Sequence, residues 1–576
     1  MKAAARIVRR EQGVAGEWPT DVLPLLQRLY AARGAGDSAA AQPRLAGLLP
    51  PATLSNIEAA ARLLADAIAT QQRILVVGDF DCDGATACAV GVRGLRMLGA
   101  TEVLHAVPNR MIHGYGLSPA LVAELAPLRP DLLVTVDHGI ACHAGVAAAR
   151  AQGWTVLVTD HHLPGERLPP ADAIVNPNLP GDGFASKTLA GVGVIFYVLL
   201  ALRAELRARG AIVDSGPDLS VLLDLVAVGT VADLVPLDLN NRALVSAGLR
   251  RLRQGRGCVG LQALIEVSGR DAASLTASDI GYALAPRLNA AGRLEDMALG
   301  IELLLCEQPQ RAREIAQALE TINAERRAVQ QVMTDEAEAA VARALLHADG
   351  PAPLARCLFD PQWHPGVIGL VASRMKDRLH RPVVAFAPAE PDATMLRGSA
   401  RSIAGLHIRD VLAAIDARHP GLIERFGGHA MAAGLTLALA ALPAFEQALL
   451  EEVARQVDPA LLQAELMSDG ELAPHEFDFV HAQALRLAGP WGQGFPEPLF
   501  DGEFDVLQWR PLKERHLRYS LRAPGVALAL NAIHFDGWRG QPPASRVRMA
   551  YRLACDDYRG GGAIQLIVEH CESATR

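Results

Sequence analysis

The chain has 576 residues, of which 50% are hydrophobic and 20% charged, too apolar for a disordered chain and too long for a small disulfide-stapled fold. At a typical domain length of about 150 residues, this is roughly three to four domains. A formal charge of −8 and a pI near 6.1 exclude a globally basic coater of duplex nucleic acid, so any nucleic-acid contact must be local.

In chain order, residues 1–45 read as a polar, Ala-rich N-terminal extension that ends in a loop over Gly34 to Pro43. From Arg73 short apolar runs alternate with helix-compatible stretches, at Ile74 to Val77, Val103 to Val107, Leu132 to Val136 and Thr155 to Val158. This alternation predicts an α/β domain over 46–260, with a parallel sheet covered by helices. Helical sequence then dominates from Leu189 to about Leu346, with a helical connector over 261–350 and one long helix from Gln310 through Leu346. Beyond Gly350-Pro351-Ala352-Pro353 a second α/β domain is expected over 351–460, with strands at Leu354 to Phe359 and Val383 to Phe386 and Gly-rich turns at 397–399 and 427–428. Five short alternating runs between Phe504 and Val568 predict a small β-barrel in a last domain over 465–576.

The eight cysteines show no CxxC pair and no zinc-ribbon spacing, which suits a reducing compartment. Arg6, Arg9, Arg10 and Glu11 interrupt the first apolar residues, so no signal peptide is expected. The longest apolar run, Leu189 to Leu202, is too short to span a bilayer. The expectation is a cytoplasmic protein with no membrane contact.

The chemistry concentrates at predicted strand ends. Val76-Val77-Gly78-Asp79-Phe80-Asp81-Cys82-Asp83-Gly84 places three aspartates at alternate positions where a strand runs into a turn. Two more strands end in Val136-Asp137-His138-Gly139 and Val158-Thr159-Asp160-His161-His162. The carboxyl ends of parallel strands share one edge, where ligands bind, so these motifs should converge. Asp233, in Val231-Ala232-Asp233-Leu234, adds another carboxylate at the end of an apolar helical run. Any one such aspartate could be a helix cap. Six carboxylates and two imidazoles in one pocket cannot all stay ionised without compensation, and two divalent cations would supply it. Oxygen ligands mixed with histidine, without thiolates, favour Mn²⁺ or Mg²⁺, with imidazole tilting the choice to Mn²⁺. Such a pair is the usual apparatus for hydrolysing phosphoesters.

The Asp160-His161-His162 run and the Gly78 to Gly84 motif resemble the signature of the DHH phosphoesterase superfamily. From about Arg73 to its end the chain is similar to the RecJ family of single-strand-specific exonucleases. Val107-Pro108-Asn109-Arg110, Gly114-Tyr115-Gly116-Leu117, Leu189-Ala190-Gly191-Val192-Gly193-Val194 and the Ala285 to Arg293 run support this, and Trp363 to Gly369 with Gly427 to Gly434 look like the DHH-associated domain. The resemblance implies that Asp79, Asp81, Asp83, Asp137, His161 and Asp233 hold two metal ions, with Asp160 and His162 in the same catalytic shell. Two departures are His138, where the family commonly has Asn, and Cys82, where Ala is common; His138 could be an added ligand or a neutral polar substitute.

Arg110, Arg287, Arg293, Arg374 and Arg401 lie in Gly- or Ser-rich motifs where guanidinium can grip phosphate, and Asn289 shares the run that holds two of them. Ser399 and Gly427-Gly428-His429 supply a hydroxyl, backbone N–H groups and an imidazole, the parts of a phosphate nest. The resemblance implies that Ser399 and Arg401, with Arg110, hold a terminal 5′ phosphate and that Tyr115 stacks on a base. Residues 505–571 carry ten basic against six acidic side chains, with Trp509, Tyr519, Phe535, Trp538, Tyr551 and Tyr558 interleaved. That mix suits single-stranded nucleic acid on an OB-fold.

The resulting expectation is a two-metal 5′-to-3′ exonuclease of single-stranded DNA that releases 5′-mononucleotides in recombination and repair. It would act as a monomer, with a helicase and a single-strand-binding protein as family-implied partners. The alternatives are a phosphodiesterase of short oligoribonucleotides or cyclic dinucleotides, and a non-catalytic strand-binding scaffold.

Overall fold

The structure is a computed structural model that describes residues 5–14, 16–109, 112–346, 353–389 and 394–574. In chain order its strands are β1 (Ala5–Arg9), β2 (Ile74–Val77), β3 (Val103–Ala106), β4 (Leu132–Val136), β5 (Thr155–Thr159), β6 (Ala173–Val175), β7 (Arg356–Phe359), β8 (Val383–Pro388), β9 (Met395–Arg401), β10 (Arg425–Gly428), β11 (Ala432–Ala438), β12 (Ala464–Ser468), β13 (Phe500–Leu512), β14 (His516–Arg522), β15 (Leu530–His534), β16 (Arg546–Cys555) and β17 (Ile564–Ser573). The chain forms two compact units, one of Arg10–Asn323 with Asp469–Arg576 and one of Met1–Arg9 with Ala324–Ser468. The 38-residue helix Pro309–Leu346 contributes to both.

In the first unit, β2 to β6 form a fully parallel sheet in the order β3-β2-β4-β5-β6. Every residue of β2 and β4 is buried, as central strands covered on both faces require. Strand order reverses between β2 and β4, so a crevice opens beyond their carboxyl ends. β6 escapes the sequence pattern because it contains only three residues. The helix Cys82–Met97 packs against the helix Gly191–Ala208 where a Cβ on Gly94 would come within 2.2 Å of Leu199.

Of the segment expected as a minor extension, the part from Arg10 onward instead belongs to this unit and contributes to its core. The helix Pro24–Ala31 buries Leu25, Leu29 and Tyr30; Tyr30 stacks on Trp18 and Trp491 and donates its hydroxyl to Ala488 O at 2.8 Å. Two of these partners, Ala488 and Trp491, lie more than 450 residues away in sequence, which is why local pattern misses them. Arg242, buried, lies 3.9 Å over the Phe495 ring, which in turn stacks on Trp491. Phe495→Ala removes a buried ring and the face that a desolvated cation rests on, so a loss of about 3–5 kcal/mol is expected, read as a lower urea midpoint for this unit.

The barrel β13-β14-β15-β17-β16 is closed, with β15 and β17 parallel and the other pairs antiparallel. Phe500, Phe504, Tyr519 and Tyr551 fill it. Of the interleaved aromatics, Trp509, Phe535 and Tyr558 remain exposed, and Trp509 stacks on Trp538.

In the second unit the sheet runs β10-β11-β9-β8-β7, with β7 and β8 parallel and the rest antiparallel. The glycines expected in turns at 397–399 and 427–428 lie within β9 and β10. A Cβ on Gly398 would come within 2.5 Å of the Phe386 ring, so that glycine admits a side chain from the neighbouring strand. β1 pairs in parallel with β12. Among the described residues no helix is long and apolar enough to cross a membrane.

Candidate metal centre

β2 runs through Gly78 and Asp79 into the helix Cys82–Met97, and Asp81 caps that helix by accepting the Gly84 N–H at 3.0 Å. Asp83, in the first turn, accepts the N–H groups of Gly191 at 2.7 Å and Val192 at 3.0 Å, which open the helix Gly191–Ala208. A carboxylate at a helix N-terminus is favourable. Asp137 follows β4 in the left-handed region, with φ 66°, and a Cβ on Gly191 would meet its side chain at 2.5 Å. Only glycine lets that helix approach so closely.

β5 delivers Asp160, His161 and His162. Asp160 Oδ1 accepts the backbone N–H of His161 at 2.7 Å and of His162 at 3.0 Å, and His162 Nδ1–H at 2.8 Å; Oδ2 accepts the Ile140 N–H at 2.9 Å. Both oxygens are thus occupied, and Asp160 orients an imidazole. Asp233 caps the C-terminal end of the helix Leu223–Ala232, where the helix dipole disfavours an anion.

These ends meet. His161 Nε2 lies 3.1 Å from Asp137 Oδ1 and 3.5 Å from Asp233 Oδ2. Three groups have ligand atoms within 4.8 Å of one another: Asp79, Asp81 and Asp137; Asp83, His161 and Asp233; Asp137, His161 and His162. Asp137 and His161 each belong to two groups; a carboxylate such as Asp137 can serve two adjacent cations, whereas the single lone pair of His161 Nε2 serves one.

The electrostatics ask for positive charge. Burial, then Asp81, pushes the Asp83 carboxyl up to about 7. Burial and the neighbouring carboxylates drive Asp137 and Asp233 well above the usual range. Burial alone would raise Asp160, but the His162 hydrogen bond and the two imidazoles hold it well below. His162 is the converse: burial opposes its charge, and Asp160 raises it. Asp137 Oδ1 and Asp233 Oδ2 are buried and accept no hydrogen bond among the described residues. Repelling, under-bonded carboxylates beside imidazole fit a pair of divalent cations.

The remaining predicted residues divide. Tyr115 is half-exposed, with its hydroxyl 3.4 Å from His162 Nδ1 and its ring edge-on to His162 and Phe80. Arg110 lies outside the described residues. Arg287 is buried, donating to Ala283 O and paired with Glu320 at 2.5 Å. Asn289 Oδ1 accepts the Cys82 N–H at 2.8 Å, within the turn that carries Asp79, Asp81 and Asp83, and Arg293 follows one helical turn on. In the second unit, Ser399 and Arg401 share one face of β9, and Arg401 Nη1 donates to Ser399 Oγ at 2.9 Å. A Cβ on Gly369, in the first turn of the helix Ile368–Leu379, would lie within 3.1 Å of both side chains. Arg374 is exposed on that helix. Gly428 has φ 141° at the end of β10, and the His429 N–H donates to Ala432 O.

His138 belongs to none of the three groups. Its Nε2–H donates to Val77 O at 3.1 Å, and burial holds its pKa down to about 4, so it is a neutral staple between β4 and β2. Cys82 is buried, and burial lifts its thiol well above the usual range. Sequence reasoning missed Asn176 and Asn178, whose amides donate to His162 O at 2.8 Å and His161 O at 2.6 Å and fix the two histidines. The available signal was the Asn176-Pro177-Asn178 run just beyond the short β6.

The chain matches the DHH family N-terminal domain over residues 73–230, the DHHA1 domain over 351–455 and the RecJ OB domain over 468–570. It is 49% identical to the single-stranded-DNA-specific exonuclease RecJ of Dickeya dadantii, over 98% of each chain. A crystal structure of RecJ with Mn²⁺ from Thermus thermophilus superposes with a TM-score of 0.78 at 32% identity, covering 98% of this chain and 80% of that one. The Mg²⁺ complex from the same organism gives a TM-score of 0.74 at 30% identity, covering 98% and 79%. With such identity across nearly the whole of both chains, and with all three domains matched in order, the chain belongs to the RecJ family of single-stranded-DNA-specific exonucleases within the DHH phosphoesterases.

Proposed function

We propose that the protein is a metal-dependent exonuclease that shortens single-stranded DNA from its 5′ end and releases 5′-mononucleotides. The observation that carries this is the convergence of Asp137, His161 and Asp233, from two strand ends and a helix end, within 3.5 Å of one imidazole nitrogen. In this reading Asp79, Asp81, Asp83, Asp137, His161 and Asp233 hold two divalent cations, Mn²⁺ in preference to Mg²⁺. When bound, these ions supply Lewis acidity toward a phosphate oxygen and water.

The chain's own groups do the rest. Asp160 accepts the His162 Nδ1–H and so leaves Nε2, with its lone pair, as the ring nitrogen that would bind a cation. Tyr115, half-exposed beside His162, offers a ring to a base. Ser399 and Arg401, side by side on β9, receive the terminal 5′ phosphate, and polarity follows because a 3′ hydroxyl end has no such group to offer. Arg293, Arg374, Gly428 and His429 neutralise phosphates along the strand. The exposed Trp509, Phe535 and Tyr558 of the barrel stack on bases further along. A requirement for single strands points to a helicase and a single-strand-binding protein as partners in recombination and repair, with the monomer acting in the cytoplasm.

The test is a long single strand labelled internally and blocked at one end or the other, incubated with Mn²⁺, Mg²⁺ or EDTA. Metal-dependent release of mononucleotides, stopped only by the 5′ block, is the expected result. Release stopped by the 3′ block would overturn the polarity, and a preference for two- to five-nucleotide RNA over long DNA would overturn the substrate.

A further inference from the structure

The turn that carries Asp79, Asp81 and Asp83 is braced from outside the sheet. Cys82 is the first residue of the helix Cys82–Met97, and the first N–H groups of a helix have no acceptor within it. The Asp81 side chain takes the Gly84 N–H. The Cys82 N–H is taken instead by Asn289 Oδ1 at 2.8 Å, across 207 positions of sequence. One turn further along the helix Ala285–Leu294, Gly292 approaches the Phe80 carbonyl so closely that a Cβ would fall 2.0 Å from its oxygen. The two contacts grip the backbone on either side of Asp81. The bracing helix is itself anchored by buried Arg287, through Ala283 O and Glu320.

The residue type has a reason. An aspartate at 289 would satisfy the same N–H but add a further negative charge beside carboxylates that already repel one another. The amide oxygen accepts without charge. The oxygen of Asn289 is thus spent on the protein.

We propose that Asn289 is a positioning residue of the metal centre, holding the Phe80 to Cys82 backbone so that Asp79 and Asp81 are presented to a cation shared with Asp137. The proposal rests on the metal centre described above. It implies that Asn289 governs cation affinity and turnover more than strand affinity, and that it does so before any cation or strand is bound.

Full-length wild type, Asn289→Ala and Asn289→Asp would be compared in three measurements: amide hydrogen exchange of the 78–84 segment without metal, Mn²⁺ binding by electron paramagnetic resonance, and kcat and KM on a long 5′-phosphorylated strand. Loss of one buried hydrogen bond to a backbone N–H corresponds to about a tenfold effect. For Asn289→Ala the expected results are about tenfold faster exchange in 78–84, about tenfold weaker binding of one of two Mn²⁺ ions, a kcat that recovers as Mn²⁺ is raised, and an unchanged KM for the strand. Asn289→Asp keeps the acceptor and should retain wild-type exchange without losing Mn²⁺ affinity, its added charge showing instead as a lower Tm of the metal-free protein. Wild-type exchange and Mn²⁺ binding in Asn289→Ala with a raised KM would make Asn289 a strand contact and overturn the proposal. Equal loss of Mn²⁺ in both variants would overturn it too. If Asn289→Ala does not fold, Asn289→Gln, which displaces the same amide by one methylene, carries the same expectations. A wild-type protein that binds no Mn²⁺ pair would instead refute the metal centre itself, a distinct outcome.

Discussion

Asp137→Asn is expected to abolish exonuclease activity while making the metal-free protein more stable. Asp137 is 2% exposed, lies 3.1 Å from His161 Nε2 and takes part in two of the three ligand groups. Asparagine tolerates the left-handed backbone at this position, so the substitution removes charge with little strain. Losing one shared ligand forfeits several kcal/mol of transition-state charge stabilisation, and at about 4 kcal/mol the rate falls roughly a thousandfold. Stability moves the other way, because without metal burial and then the neighbouring carboxylates push Asp137 far above its ordinary range, and a neutral amide escapes both the desolvation of a charge and that repulsion. Thermal melts should show a higher Tm for the variant without metal, and a rise on adding Mn²⁺ for the wild type only. A variant that is inactive and also melts lower without metal would contradict the electrostatic account of the site.

The second large effect concerns pH and metal together. Asp83 rises from an ordinary value of 3.8 to about 7 in the folded protein, chiefly through burial and then through Asp81, and Asp137 and Asp233 are raised as well. A carboxyl raised on folding favours the folded state fully below its unfolded value, and that contribution is lost as pH rises through its folded value. The metal-free protein should therefore lose stability from about pH 4 to pH 7 and beyond. Cations bind the deprotonated ligands, so the Tm gain from Mn²⁺ should grow over the same interval. For Asp83 alone, apparent Mn²⁺ affinity should rise about fiftyfold between about pH 5 and pH 7. Calorimetry in buffers of different ionisation enthalpy should register proton release on binding. A Tm gain that is flat with pH, with no proton release, would rule out these carboxylates as the ligands.

The convergence of the acidic motifs was legible in sequence because they sit where one-dimensional pattern and three-dimensional position coincide. Asp79, Asp137 and Asp160 each follow a run of apolar residues that must be a strand, and parallel strands present their carboxyl ends on one edge. Asp233 was legible for the same reason at the end of a helix. The contacts that Arg287 and Asn289 make inside the protein, with Glu320 and the Cys82 N–H, were not legible, because each partner is distant in sequence. The glycines at 398 and 428 looked like turns, since nothing local distinguishes a glycine needed for φ from one needed for the space beside Phe386.

Residue order and type alone determined the class of sheet, the edge on which the acidic motifs meet, the need for divalent charge and the barrel near the chain's end. Those follow from periodicity and from the cost of gathering carboxylates, both local or additive properties. Only the tertiary structure decided that residues 24–31 belong to the core, that His138 is a neutral staple, that Asp160 orients His162, and that Asn176, Asn178 and Asn289 hold the ligand-bearing segments in place. Each of those depends on a partner brought near by folding. A hydrogen bond is made over less than about 3.2 Å, a distance to which separation along the chain gives no guide.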